Sequence, residues 1–358
     1  MASLAVIIVS YNTRELLAAC LESLARELGE PGQSLLPTPY SLAASVLVVD
    51  NVSGDGSAAM VAQRFPWVHL LTPGVNLGFA AGNNLALRAL GFKPRADEAP
   101  RSAAVFDATT VQATPDGPPD YALLLNPDTV VQPGALSTLV QFLQTHPRAG
   151  IAGARLSYPD GQFQHSAFRF PGLAQTALDL FPPRGRLARV METRLNGRYP
   201  RALYLGQTPF EVETLLGACL LVRREAIEAA GLLDEGFFMY AEELDWCRRI
   251  WRAGWRLYCV PTARITHCEA QSTRQFRAAM LVELWRSRLR LFDKHYGPAR
   301  RAALRTLVRL GAAWRRWRGT GAQRDAYTQI AGLIDNAPVS SMIHKEHQGH
   351  EDTKGEYK

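Results

Sequence analysis

The chain lacks any apolar run near the roughly 20 residues that a bilayer-spanning helix needs. It opens Met1-Ala2-Ser3 and runs straight into an apolar stretch, with neither a basic leader nor a cleavage site. These absences set the expectation of a cytoplasmic protein. Cysteine is scarce: Cys20, Cys219, Cys247, Cys259 and Cys268 are odd in number, scattered and without CxxC spacing. That excludes a zinc ribbon and a disulfide framework and leaves reduced, mostly buried thiols. Acidic charge is nearly missing from one segment. Between Arg286 and Arg318, ten arginines and Lys294 stand against Asp293 alone, a net of +10 within a chain of +7, so the remainder carries −3. No nucleic-acid motif accompanies this charge, and nucleic acid is not expected as a partner.

What is present is enough for one large domain, or one domain with an appendage: 358 residues, 47% hydrophobic and 20% charged. Strand and helix patterns alternate from the start. Leu4 to Val9 reads as a buried strand, Thr13 as the cap of a helix to about Leu28, and Ser45 to Val49 as the next strand. Gly56 to Phe65 is helical, Val68 to Leu71 a short strand, and Phe79 to Leu90 another helix. Tyr121 to Leu125 is a strand, and Pro133 suits the first position of the following helix. This pattern predicts an α/β fold with a mostly parallel central sheet flanked by helices. Two stretches interrupt it as surface insertions, at about 29–44 and 94–120. Later, Leu215 to Val222 and Arg256 to Val260 read as strands, and Ile265-Thr266-His267 ends a further short one.

Chemistry-bearing residues collect at strand ends. The first strand ends Ser10-Tyr11-Asn12 and the second Asp50-Asn51-Val52-Ser53-Gly54-Asp55, where amides and carboxylates can hydrogen-bond a nucleobase or a ribose. Gly54, Gly56 and Ala59 fit the dinucleotide fingerprint GxGxxG/A. However, four residues separate them from the strand, and no acid ends a second strand about 20 residues on, which argues against an NAD enzyme. Asn76-Leu77-Gly78-Phe79-Ala80-Ala81-Gly82-Asn83 allows close backbone approach at a helix start that can face a phosphate. Asn126-Pro127-Asp128 places a carboxylate at a strand tip, where one aspartate can suffice for a hard cation. Gly217-Ala218 leaves room for a ligand within an apolar strand. Glu242, Glu243 and Asp245 crowd the first turn of a helix, either as dipole-favoured acids or as a general base raised by like-charged neighbours. Phe237, Phe238, Tyr240 and Trp246 flank these acids as a candidate pocket wall, and His267 follows a strand as a candidate metal or phosphate ligand.

In this order the motifs resemble the family-two inverting glycosyltransferases of GT-A fold, and within them the rhamnosyltransferase-type members. The resemblance runs over roughly residues 4 to 275. It implies that Ser10, Tyr11, Asn12, Asp50, Ser53, Asp55, Asn76, Gly78, Phe79, Asn83, Asn126 and Gly217 surround a nucleotide-diphosphate sugar donor, dTDP-rhamnose-like or a UDP-sugar. Asn126-Pro127-Asp128 would stand at the family's DxD position, with Asp128 and His267 on Mg²⁺ or Mn²⁺. Glu243, where relatives usually have Asp, would be the catalytic base, with Glu242 and Asp245 as the alternatives. The acceptor would be a glycan or lipid-linked hydroxyl in cell-surface polysaccharide synthesis. The competing reading from another class is a non-catalytic nucleotide-sugar-binding protein.

The domain expectation is a GT-A domain over 1–275, a basic amphipathic helical region over 276–335, and a polar tail over 336–358. In the basic region Ala303, Leu304, Leu307, Leu310, Trp314 and Trp317 fall on one helical side and Arg301, Arg305, Arg309 and Arg316 on the other. Such a helix either meets an anionic membrane, here the inner face of the plasma membrane, or packs its apolar face on the catalytic domain. Arg169 is a candidate phosphate contact or a plain surface arginine. His344, His347 and His350 of the tail are a candidate metal cluster or part of a solvated tail.

Overall fold

The structure is a computed structural model that describes residues 2–29, 42–95, 117–268 and 277–335. Most of both insertions, the expected boundary near 275, and the tail with its three histidines lie outside the described residues. In chain order the elements are β1 (Ala2–Ser10), α1 (Arg14–Leu28), β2 (Leu42–Asp50), α2 (Ser57–Arg64), β3 (His69–Leu71), α3 (Gly78–Ala89), β4 (Tyr121–Leu125), β5 (Thr129–Val131) and α4 (Ala135–Thr145). Then follow β6 (Ala149–Ser157), β7 (Phe163–Gln164), β8 (Ala167–Phe168), α5 (Leu173–Leu180), α6 (Arg201–Leu205), β9 (Phe210–Val212), β10 (Thr214–Leu215), β11 (Cys219–Arg223) and α7 (Arg224–Ala230). The chain continues through α8 (Glu242–Arg252), β12 (Arg256–His267), α9 (Arg277–His295), α10 (Pro298–Arg318) and α11 (Gly321–Asp335).

The main sheet runs β3-β2-β1-β4-β11-β6-β12-β5. Its first four strands are parallel, β11 inserts antiparallel between β4 and β6, and β12 lies parallel to β6. Both faces are covered, as a parallel sheet requires. On β1, Leu4, Val6 and Ile8 pack with Leu17, Leu21 and Leu24 of α1, while Ala5, Ile7 and Val9 pack with Ala80 and Ala86 of α3 and Trp246 of α8. The alternation of the strand thus divides the core into two layers.

Register brings the chemistry to one edge. Ser10 pairs with Asp50, and Ile7 pairs with Leu124, so the tips of β1, β2 and β4 lie side by side. Because β11 is antiparallel and pairs Cys219 with Leu125, its beginning, Gly217-Ala218, meets the same edge. His267, the end of β12, pairs with Thr129 next to Asp128. Ligands of open α/β sheets gather at such carboxyl ends.

Several local expectations are corrected. Leu215 to Val222 is not one strand: Leu216 to Ala218 break it and free Gly217 from the ladder. Arg256 to His267 is a single strand with a register shift between Val260 and Arg264. Pro133 does not open α4, which starts at Ala135 behind the left-handed Gly134. Thr13 makes no side-chain cap and instead shares a 2.9 Å hydrogen bond with Ser10 Oγ. The Arg14 amide at the start of α1 donates to Asp55 Oδ2 at 2.9 Å, a cap from 41 residues away.

The C-terminal helices form their own apolar cluster. Leu304, Val308 and Ala312 of α10 meet Trp285 and Phe292 of α9, Tyr327 and Ile330 of α11, and Leu180 of α5. The basic helix therefore packs, but on a face turned from the expected one. Leu304 is buried, whereas Ala303, Leu310 and Trp317 are exposed. Gly311 explains the rotation, since a Cβ there would stand 2.7 Å from Leu180. Among the described residues no helix is long and apolar enough to cross a membrane.

Gly78 is the tightest backbone junction near the edge. It has φ +76°, and a Cβ on it would stand 2.3 Å from the Phe238 carbonyl oxygen. Left-handed strain together with forced repacking should make Gly78→Ala less stable by about 2 to 4 kcal/mol, read as a lower midpoint in urea unfolding.

Candidate active site

The donor-side residues form a connected hydrogen-bond set. Asn12, at φ 51°, donates its amide N–H to Ser53 Oγ at 3.0 Å, and its Oδ1 accepts from Gly54 at 2.8 Å. Buried Asp50 accepts from the Ser53 amide at 3.0 Å through Oδ2, while Oδ1 is buried without a partner among the described residues. A buried acceptor left without a donor in this way is uncommon and marks a place where a donor group can bind. Tyr11 lies half-buried beside this set. Asp55 is used by the fold: besides capping α1 it accepts from Ser57 N and Oγ. Burial pushes the Asp55 carboxyl up, and the hydrogen bonds from Ser57 and Arg14 outweigh it and hold the group below the usual range.

The second donor-side cluster is organised around a loop from the other half of the chain. Asn76 Oδ1 accepts from Gly78 N at 2.9 Å, and Phe79 N donates to the Phe238 carbonyl at 2.8 Å. Asn83 is buried and donates to Phe79 O at 2.9 Å, holding the first turn of α3. Asn51 and Asn84 escaped the sequence reading as positioning residues. Asn51 Nδ2 donates to Gly78 O at 3.1 Å; Asn84 Oδ1 accepts from Leu233 N at 3.0 Å, and its Nδ2 donates to Leu233 O at 2.8 Å. Their only sequence signal is an amide inside an apolar helix or strand end.

At the metal position, Asp128 and His267 are both buried, with Asp128 Oδ1 3.3 Å from His267 Nε2. His267 Nδ1 lies 3.2 Å from Gln164 Oε1, a contact that orients the ring. Asn126 Nδ2 reaches that Nε2 at 3.4 Å. A carboxylate and an imidazole nitrogen facing each other at a strand tip are a donor set that fits a divalent cation. Among the described residues no third His, Cys, Asp or Glu joins them, so other ligands would come from water or diphosphate oxygens. Gln164, on β7, has no motif around it that could have revealed it.

The three acids of α8 separate sharply. Asp245 is fully buried and engaged by His295 Nε2 at 2.7 Å, Arg249 Nε at 2.8 Å and Lys294 Nζ at 2.8 Å. Arg252 Nη1 is 3.1 Å from His295 Nδ1 and can only donate, so Nε2–H donates to Asp245. Burial alone would raise the Asp245 carboxyl; the His295 hydrogen bond and the Arg249 and Lys294 charges overcome it and hold the group well below the carboxylate range. Glu242 and Glu243 lack such partners. One oxygen of each, Oε2, is shut from solvent without a hydrogen bond among the described residues. Burial, then the charge of Glu243, pushes Glu242 well up, and burial raises Glu243 to about 7. A Cβ on Gly217 would lie 3.8 Å from Glu243 Cβ and from Phe79 Cζ, so Gly217, Glu243 and Phe79 share one pocket. Ala218 O accepts from Asn126 N at 3.1 Å, tying this pocket to the metal position.

The aromatic wall is smaller than expected. Trp246 and Phe237 are core residues, Trp246 donating to Gly231 O at 2.8 Å, which leaves the half-buried Phe238 and Tyr240 at the site. Arg169 is not turned to a ligand: it pairs with Glu213 at 2.9 Å and covers the Tyr199 ring. All five cysteines are free thiols, four of them buried.

Two carboxyls with raised proton affinity, a carboxylate–imidazole pair and amide-rich strand tips thus lie together at one edge of the sheet. The sequence profile described as "Glycosyltransferase like family 2" matches residues 2–290. The chain is 33% identical over 261 residues, 71% of its length and 76% of the relative's, to the N-acetylglucosaminyl-diphospho-decaprenol L-rhamnosyltransferase of Mycobacterium tuberculosis. It is 26% identical over 159 residues, 44% of its length and 55% of the relative's, to the rhamnosyltransferase WbbL of Escherichia coli. Among solved structures the mannosyltransferase PcManGT of Pyrobaculum calidifontis, in complex with GDP-Man and Mn²⁺, is similar at TM-score 0.48 and 15% identity, over 94% of this chain and 76% of that one. The chain belongs to the family-two glycosyltransferases. It is a rhamnosyltransferase-like enzyme of cell-surface polysaccharide synthesis.

Breaking the Asp245 cluster should leave the largely buried Arg249 guanidinium without its carboxylate and His295 without its acceptor. Asp245→Asn is expected to cost about 3 to 5 kcal/mol of folding free energy, measured by urea unfolding at neutral pH.

Proposed function

We propose that the enzyme transfers a deoxyhexose, rhamnose in the first instance, from a nucleotide diphosphate to a hydroxyl of a lipid-linked glycan, with inversion, Glu243 acting as the base. The observation that carries this reading is the Glu243 carboxyl, with one buried oxygen unpaired among the described residues, in the Gly217–Phe79 pocket next to the strand tip that bears Asp128. A base with proton affinity near neutrality is matched to its task. Glu243 takes the acceptor proton while the oxygen attacks the anomeric carbon opposite the departing diphosphate, and inversion follows from the single displacement. Glu242, more strongly biased to its protonated form, keeps the pair from carrying two charges. Asp128 and His267 would hold Mg²⁺ or Mn²⁺, whose chemistry is to neutralise charge on the diphosphate. Asp50 and the Ser10 to Asn12 turn would hold the base and ribose. The decaprenol in the name of the mycobacterial relative supports a lipid-linked acceptor and work beside a membrane.

Glu243→Gln should abolish transfer while dTDP- or UDP-sugar binding, followed by thermal shift with Mn²⁺, stays nearly intact; wild-type turnover would remove Glu243 from the role. The base works ionised, so kcat/KM should rise with pH through about 7. Stability has the opposite sign. A carboxyl whose folded proton affinity is raised stabilises fully below its ordinary value and loses this as pH climbs through about 7. Glu243→Gln should therefore be more stable than the parent above that pH. Asp128→Asn should weaken the metal dependence of donor binding, read as the Mn²⁺ concentration at half-maximal donor-induced stabilisation.

A further inference from the structure

Helix α10 packs through Leu304, Val308 and Ala312, and this burial leaves a second apolar line unpartnered. Leu310, Trp314 and Trp317 stand at i, i+4 and i+7, one ridge along the helix. Leu310 is 60% and Trp317 81% exposed. Trp314 between them is half-buried because the Phe181 ring, itself exposed, leans on it at 5.1 Å. Large side chains this open are normal when scattered; here Leu310 and Trp317 share one ridge, joined by half-buried Trp314 and by Phe181.

The charges around the ridge have one sign. From Pro298 to Arg318 there are seven arginines and no acid. Asp293 pairs with Arg301 and Arg305, and Asp179 with Arg288, while Asp325 stands exposed on α11 beyond the helix end. Arg309, Arg316 and Arg318 flank the ridge and are exposed. Past Phe181 the chain continues in the same character, with Leu187 73% exposed among the exposed Arg184, Arg186 and Arg189.

We propose that this ridge seats the enzyme on an anionic lipid bilayer, with Leu310, Trp317 and Phe181 entering the headgroup boundary and the arginines meeting lipid phosphates. Tryptophan and leucine tips bordered by cations suit that boundary. A second copy of the chain suits it poorly, since two such ridges would set arginines against arginines. A nucleic acid would satisfy the arginines and leave the leucine tip without a partner. The seat adds a partner to the transferase and does not depend on the transfer reading.

The test is sedimentation of the full chain with vesicles of phosphatidylcholine alone, or of phosphatidylcholine mixed with phosphatidylglycerol. Binding is expected to the mixed vesicles only, and to fall with added salt. L310S/W317A and R309E/R316E should each lower partition at least tenfold. Both change exposed positions, so melting temperature and donor-induced stabilisation should stay as in the parent. Undiminished sedimentation of both variants, equal binding to neutral vesicles, or no binding to anionic ones would overturn the proposal. So would a dimer in light scattering that L310S/W317A dissociates, or equally tight binding to a polynucleotide that displaces the vesicles. Vesicle binding is read without sugar transfer, so an inactive but vesicle-bound enzyme would sink the transfer reading alone.

Discussion

The segment Leu232 to Ala241 carries the chain from β11 and α7 into the acidic helix, and it is held from two sides at once. On one side the Phe238 carbonyl takes the Phe79 amide at 2.8 Å, an approach that only a glycine at 78 permits. On the other, α9 reaches down: Ser287 Oγ donates to Met239 O at 2.7 Å, Arg290 and Lys294 hold Asp234, and His295 holds Asp245. Between these clamps Tyr240 and Ala241 sit at φ 69° and 64°, a conformation that costs L residues free energy and persists only where the surroundings impose it. The position of Glu242 and Glu243 is thus set by α3 and α9 together. The C-terminal helices belong to the site through this contact.

The same clamp sorts the acids. Asp245 lies two and three residues beyond Glu243 and Glu242, on the side of α8 turned to α9, where it gains a histidine and two cations. Glu243 lies against Gly217, and neither glutamate gains such a partner among the described residues. One turn of helix therefore holds a carboxyl pushed well down beside carboxyls pushed up. Environments that drive neighbouring titratable groups apart mark the division between an ion pair that fastens a helix and a group free to move a proton.

Much of this was legible in the sequence, for a physical reason. Strand ends are written locally, as an apolar run that stops at amides, glycines or a carboxylate, and parallel register then carries each end to the same edge. Asp50, Asn126, Asp128 and His267 were found in that way. Gly78 was recognised as a point of close approach, but the approach is to the Phe238 carbonyl, 160 residues on in the chain. Partners of that kind leave no local trace. Gln164 behind His267, Asn84 on Leu233 and His295 on Asp245 are ordinary residues until the fold brings them over. The break at Leu216 to Ala218 was also hidden, because its residues are as apolar as the strands on either side.

The basic helix shows where periodicity stops being sufficient. At 100° per residue the large apolar side chains form one face, and size alone would bury it. Burial follows fit instead. Gly311 and Ala312 let α10 approach Leu180 closely, and Leu304 and Val308 fill the remaining contact, so the small residues decide which line goes inward. Arg315 completes the seam by donating to the Leu180 carbonyl at 2.7 Å. Leucine and tryptophan are then left on the outside because a close helix crossing cannot hold them. A helix with more apolar surface than its packing face can use is what a bilayer boundary, bordered by arginines, can take up.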